Sequence, residues 1–305
     1  MRGIAGTIVA LLIVGGIAAW WMTLPPPTAA VVLRDHEPNA VAGEQVFWSG
    51  GCASCHATPV RGKRAEGNFK LLLGGGLELD TPYGVFRVPN ISPDATDGIG
   101  DWSMLDFVNA MQRGVSPDGK PYYPSFPYTS YAKMPVEDVM DLKAYLDTLR
   151  AVPGRVADHS LSFPWSMRRG INAWQRLYLD AAPVVEFETM TAEVARGQAL
   201  VEGAGHCGEC HTQRNLFGAL DTKRWLGGAP SPEGRGRVPD ITTSGKNTSD
   251  WSAGDIRYYL ESGFTPDFDT VGGSMVPVQE NLAMLPKSDL EAIAAYLKAT
   301  PASQD

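Results

Sequence analysis

The apolar residues of this chain follow two different rules. Residues 4–24 read IAGTIVALLIVGGIAAWWMTL, apolar on every side and part of a charge-free run from Gly3 to Leu33. Such a run is long enough to cross a bilayer core of ~30 Å as a helix. Beyond it the apolar positions become periodic. Met104, Phe107, Val108 and Met111 fall at i, i+3, i+4 and i+7, which predicts an amphipathic helix. Val139, Leu142 and Leu146 predict a second helix, and Leu290, Ile293 and Leu297 predict one with the same spacing near the C-terminus. Ser103 with Asp106, and Ser252 with Asp255, have the form of a capping box, with an acid near the positive end of the helix it opens. Gly114 and Gly263 stand where those helices should stop. The segments between helices are rich in Gly and Pro and too long for ordinary connections. That predicts loops wrapped around a large apolar group that completes the core.

The pattern occurs twice. Gly43-Glu44-Gln45 is answered by Gly197-Gln198-Ala199, and Leu73-Gly74-Gly75-Gly76 by Leu226-Gly227-Gly228-Ala229. Arg87-Val88-Pro89-Asn90-Ile91 is answered by Arg237-Val238-Pro239-Asp240-Ile241, Trp102-Ser103 by Trp251-Ser252, and Tyr145-Leu146 by Tyr296-Leu297. An unchanged order over so many points indicates a duplicated domain. The expected division is an apolar anchor over 1–24, a proline-containing linker over 25–40, a first domain over 41–150, a connector over 151–190 and a second domain over 191–305. Pro164-Trp165, Trp174 and Tyr178 give the connector aromatic surface with which to pack, unlike a flexible tether.

Arg2 before the apolar run fits a cytoplasmic start, and Trp20-Trp21 suit the opposite interface. A cleaved signal peptide is the competing reading. It lacks a small-x-small site, since tryptophans and Pro25-Pro26-Pro27 occupy that place. The proline run predicts a stiff spacer. Net charge is −8 and the sequence pI is near 5.2. Residues 35–150 and 191–305 each carry 10 basic and 15 acidic residues, so each half stands at −5. Nucleic-acid binders need a basic face, and this balance argues against that class.

The four cysteines lie in Cys52-Ala53-Ser54-Cys55-His56 and Cys207-Gly208-Glu209-Cys210-His211. Cys-x-x-Cys-His is the attachment pattern of c-type haem. Two thiols at this spacing reach two vinyl groups of one porphyrin, and the adjacent imidazole presents itself to the iron. A four-cysteine zinc site would keep its pairs much closer and needs no histidine after each. A thioredoxin-like dithiol leaves both histidines unexplained as well. The expected cofactors are two covalently bound c-type haems, an exported chemistry that places the bulk of the chain outside the cytoplasm.

The second axial ligand decides between electron transfer and chemistry at iron. Methionine opposite histidine raises the potential and closes the site. In the first unit Met104 and Met111 share an apolar helix face and Met140 lies within a helix, so all three read as packing. Met134 follows Tyr122-Tyr123-Pro124-Ser125-Phe126-Pro127-Tyr128, a stiff apolar loop suited to holding a thioether, and is the expected ligand. In the second unit Met275 follows Gly272-Gly273-Ser274, whose glycines permit close backbone approach. It is expected ahead of Met284, which reads as a residue buried under the last helix. His206 abuts Cys207, and His36 and His159 lie in linker-like sequence, so none is assigned to iron.

The stretches GGGLELDTPYGVFRVPNISPD (74–94), GIGDWSMLDFVNAMQRG (98–114), YPSFPYTSYAKM (123–134) and GHCGECHTQRNLFGAL (205–220) resemble the multihaem cytochrome c subunits of membrane-bound bacterial dehydrogenases that oxidise alcohols or gluconate. The likeness covers about residues 40–300. It implies Cys52, Cys55, Cys207 and Cys210 as thioether sites, His56 and His211 as proximal ligands, and Met134 and Met275 as distal ligands. Better-known members carry three haem domains and a C-terminal membrane attachment, and some carry methionine where Phe126 stands here. The expected fold is all-α: two tandem class I cytochrome c-like haem domains after an N-terminal transmembrane helix. The expected function is that of a dihaem cytochrome c with no substrate of its own, single-pass in the bacterial inner membrane with its haem domains in the periplasm. It would relay electrons from a dehydrogenase or respiratory donor to a downstream cytochrome or oxidase. A dihaem peroxidase with one open iron is the alternative. A thiosulfate-oxidising cytochrome would need a spare cysteine as axial ligand.

Overall fold

The computed structural model describes residues 2–25, 33–231, 234, 236–246 and 248–302. Residues 26–32 of the expected proline-containing linker lie outside them. Helix α1 (Arg2–Met22) comes first. The first half then holds α2 (Ala40–Ser49), α3 (Cys52–His56), strands β1 (Glu78–Thr81) and β2 (Gly84–Arg87), α4 (Met104–Arg113), α5 (Tyr128–Tyr131) and α6 (Val136–Thr148). The connector contributes β3 (Ser160–Leu161) and α7 (Arg169–Tyr178). The second half has α8 (Ala192–Gln198), α9 (Gly208–His211), β4 (Ala229–Pro230), β5 (Arg237–Val238), α10 (Ala253–Ser262), α11 (Met275–Leu282) and α12 (Lys287–Ala299).

The expectation of an all-α fold is corrected on two counts. Strands β1, β2 and β3 form an antiparallel sheet in that order, and β4 pairs with β5. These strands run only two to four residues. Alternation over so few positions is invisible in sequence, and cross-strand pairs such as Arg87–Glu78 (2.7 Å) hold them instead. The second correction concerns the anchor. Among the described residues no helix is long and apolar enough to cross a membrane.

Each half is built on one close helix crossing. A Cβ on Gly43 of α2 would fall 1.9 Å from the Asp141 carbonyl oxygen and 2.9 Å from Tyr145 Cβ on α6. Its counterpart Gly197 of α8 would meet Ala292 O at 2.0 Å and Tyr296 Cβ at 2.7 Å on α12. Only a residue without a side chain lets these backbones meet. Phe47, Leu146, Val201, Leu290 and Tyr296 fill the space beside the crossings and are almost wholly inaccessible. The helices opened by Ser103 and Ser252 both carry the full capping box, and both end in left-handed glycines at Gly114 (φ 61°) and Gly263 (φ 78°).

The copies differ by one residue between crossing and haem motif. Cys52 follows Gly43 by nine positions and Cys207 follows Gly197 by ten. The extra residue is absorbed in a π-helical turn, Ala199–Ala204, where Gly205 N bonds to Leu200 O (2.7 Å) although the matching Gly50 N bonds to Val46 O (2.9 Å). The turn buries Glu202, whose carboxylate accepts hydrogen bonds from Val184 N, Val185 N, Gln198 Nε2 and Tyr296 Oη. The end of the connector is thereby tied to the second core. The connector also reaches the first half, where Gln175 Nε2 donates to Gly114 O (3.2 Å) and Lys133 Nζ to Ala182 O (2.8 Å). Arg169 and Arg176 of α7 stack on Trp20 and Trp21 of α1.

His36 is held by Asp141 of α6, with Nε2 to Oδ1 at 2.7 Å, and Asn39 N donates to the same oxygen. That hydrogen bond raises the imidazole above its ordinary value of 6.5, outweighing the opposite pull of burial. A raised folded-state value means the pair stabilises fully below pH 6.5 and loses this contribution as pH rises through the folded value. We therefore expect His36→Gln to destabilise the protein more at about pH 5 than at about pH 9, measured as the difference in denaturation midpoint from the parent protein. Equal losses at both pH values would refute the charged pair.

Candidate haem sites

Each haem motif forms a short helix, α3 or α9, entered through a left-handed residue, Gly51 (φ 58°) or His206 (φ 37°). The histidine closing each helix is fixed from behind. His56 Nδ1 lies 2.9 Å from Pro89 O, and His211 Nδ1 lies 2.8 Å from Pro239 O. A carbonyl only accepts, so Nδ1 carries the proton and the Nε2 lone pair is left for a metal. Burial lowers the pKa of both imidazoles, which keeps them neutral as iron ligation requires.

The backbone that delivers those carbonyls explains the glycines shared by the two halves. Gly75 N donates to His56 O (2.9 Å), and Gly228 N donates to His211 O (2.7 Å). Both glycines have positive φ, and a Cβ on Gly75 would come within 2.5 Å of Pro89, one on Gly228 within 2.8 Å of Val238 O. The strands β2 and β5 lead directly into Pro89 and Pro239. The strands absent from the sequence reading are thus part of the histidine support. The repeated Arg-Val-Pro was visible in sequence, but its task as an acceptor was not.

The sulfurs favour thioethers over thiolate–metal bonds. Burial pushes the Cys52 and Cys207 thiols up to about 12 and also raises Cys55 and Cys210. Surroundings that penalise a thiolate suit an uncharged sulfur, whereas zinc needs deprotonated cysteine. Among the described residues, no group of three or more His, Cys, Asp or Glu is placed to hold a metal ion. These features fit a c-type haem at each motif. Trp225 lies over Gly208, where a Cβ would come within 2.1 Å of the indole, and its Nε1 donates to Tyr296 Oη (3.0 Å).

Met134 is buried and lines a cavity with Cys52, Tyr131, Met111 and Ala204. Met275 is the first residue of α11 and is partly buried against the core. Met284, expected under the last helix, is instead 58% exposed. His36 and His159 are engaged elsewhere: His159 Nδ1 accepts from Arg87 N (3.1 Å), and its ring meets Phe86 and Tyr123 edge-on. The two methionines do not hold equivalent places. Tyr122 N bonds to Gly114 O as Val271 N bonds to Gly263 O, and four residues further on stand Phe126 and Met275 respectively. Counted back from α6 and α12, Met134 matches Leu285.

The motifs also face each other's half. Asn281 Nδ2 donates to Ser54 Oγ (2.7 Å), while Thr129 Oγ1 and Ser130 Oγ donate to Glu209 Oε1 (3.1 and 3.0 Å). Ser54 and Glu209 occupy the same position within their motifs. His206 Nε2 lies 3.3 Å from Gly50 O and its ring meets Tyr131 edge-on at 5.8 Å. Sequence reasoning had no signal for these pairings, which depend on how two similar domains dock.

Residues 40–150 match the family model for cytochrome c. The chain is 51% identical over 263 residues to a diheme cytochrome c-type protein of Cereibacter sphaeroides, covering 86% of each. It is 33% identical to the fructose dehydrogenase cytochrome subunit of Gluconobacter japonicus, over 88% of this chain and 54% of that one. It is 34% identical to the gluconate 2-dehydrogenase cytochrome c subunit of Pantoea cypripedii, over 84% and 58%. The chain spans just over half the length of these last two relatives. It belongs to the cytochrome c family that includes the cytochrome subunits of these dehydrogenases, and it carries two covalently bound c-type haems. Replacing Cys207 and Cys210 together by alanine is expected to halve the covalent haem per chain, read by haem staining on a denaturing gel and by pyridine haemochrome. Full retention would show that the second motif is not an attachment site.

Proposed function

We propose that the protein is an electron-transfer subunit that has no substrate of its own. It relays electrons from a dehydrogenase or respiratory donor to a downstream cytochrome or oxidase, with both haem domains in the periplasm. Bound haem iron supplies the one-electron chemistry. The observation that carries the reading is the matched restraint of His56 and His211 by Pro89 O and Pro239 O. A ligand held this firmly on each side of the duplication suits an iron that changes charge with little rearrangement of its surroundings. Met134 and Met275 would each supply the second protein ligand to an iron in this reading. The connector and the cross-domain hydrogen bonds keep the two centres at one separation. The relatives named as dehydrogenase cytochrome subunits support a dehydrogenase as donor, and the acidic halves suit a basic docking face on a partner.

A dihaem peroxidase is the second reading, and one observation favours it: phenylalanine, not methionine, holds the place of Met275 in the first half. The readings separate on ligation. We expect two low-spin haems and slow carbon monoxide binding by the reduced protein. Met134→Ala and Met275→Ala should each lower the potential of one haem and open its iron. A high-spin haem with peroxide turnover in the parent protein would overturn the relay, and silent methionine variants would overturn the ligand assignment. Identification of the dehydrogenase that co-purifies with the native protein tests the donor.

A further inference from the structure

Met134 belongs to the first half of the sequence, but the surface it rests on belongs to the second. A Cβ built on Gly203 would come within 2.9 Å of Met134 Cγ, 3.5 Å of its Cα and 3.6 Å of its N. The short contact is to Cγ, which moves only by rotation about the Cα–Cβ bond, while Cα and N lie at ordinary contact distance. Gly203 lies inside the π-helical turn, with φ −98° and ψ −106°, away from helical values. Four residues before Cys207, it occupies the place that Trp48 fills before Cys52. At this spot the copies thus differ in both backbone and side chain, and the result is a bare stretch of backbone facing Met134.

We propose that Gly203 is a positioning residue for the first haem, holding Met134 in place from across the domain boundary. The proposal rests on Met134 being the distal ligand. Within its own half, Gln112 Nε2 donates to Met134 O (2.8 Å) and fixes the backbone. That bond leaves the thioether arm free to turn, and Gly203 closes the opposite side. The boundary itself is pinned on both flanks. Asn281 grips Ser54, Thr129 and Ser130 grip Glu209, and Lys70 pairs with Glu280 at 2.8 Å. Arg196 bridges Asp138 of the first half and Asp289 of the second. Ligation at the first iron therefore depends on the two halves being docked. Met275 stands at a different register, as the first residue of α11, whereas Met134 precedes α6.

The test uses the intact two-haem protein, read by redox titration and by the red charge-transfer band of methionine-ligated ferric haem. Gly203→Ala is expected to lower the potential of one haem and remove up to half of the band, leaving the other haem unchanged. Placed on Met134→Leu, the same change should have no further effect on that haem, because the displaced group is gone. Asn281→Ala loosens the boundary without altering either methionine and should weaken the same half of the band. A silent Met134→Leu would overturn the ligand reading itself. If Met134→Leu removes half the band while Gly203→Ala leaves both haems as they were, the ligand reading stands and the positioning role falls. An equal shift from Gly203→Ala with and without Met134 also overturns it. Should Gly203→Ala not fold, an unchanged band in Asn281→Ala overturns it.

Discussion

One hydrogen bond, made twice, sets the terms for much of the molecule: a histidine Nδ1 to the carbonyl of a proline some thirty residues downstream, 33 positions in the first half and 28 in the second. A proline has no N–H, so its carbonyl is presented without a competing donor on the same residue. To bring that oxygen behind the imidazole the chain must fold back tightly over the motif helix. Gly75 and Gly228 permit the turn, and β2 and β5 aim the strand that ends in proline. The helix crossings at Gly43 and Gly197 supply a rigid base on which the motif helix is mounted. A side chain at any of these glycines would displace backbone, not merely crowd a neighbour.

The cofactor chemistry was the most legible part of the chain. Two Cys-x-x-Cys-His motifs with no cysteine to spare leave little room for another reading, and the capping boxes at Ser103 and Ser252 appear where the serine–acid spacing puts them. The short strands were not legible, because two to four residues carry no period and their pairing is decided by partners distant in sequence. The apolar run at the N-terminus forms the helix its composition favours, yet no described helix meets the length and apolarity of a membrane crossing. Met284 misled for a physical reason: its helix approach places Leu285 inward, and a neighbour at the next position points to solvent. The contacts between halves were also hidden. Ser54 and Glu209 look like arbitrary fillers between two cysteines until each meets a donor from the opposite domain.

Those contacts give the duplicated architecture its stiffness. Charged and polar pairs at an exposed boundary contribute little individually, but here they sit around contacts of His206 with Gly50 and Tyr131 and of Gly203 with Met134. The connector adds to this by bonding to Gly114 on one side and to buried Glu202 on the other. Such a boundary resists the relative motion that is the usual expectation for tandem domains.

The single extra residue in the π-helical turn has a consequence beyond packing. Duplication by itself yields two degenerate centres, and between centres of equal affinity an electron has no downhill direction. The halves already differ where Phe126 stands in the place of Met275. The insertion adds a second difference, outside the Cys-x-x-Cys-His motif. It leaves both attachment sequences intact and breaks the symmetry of what surrounds them, so that two similar halves need not be interchangeable.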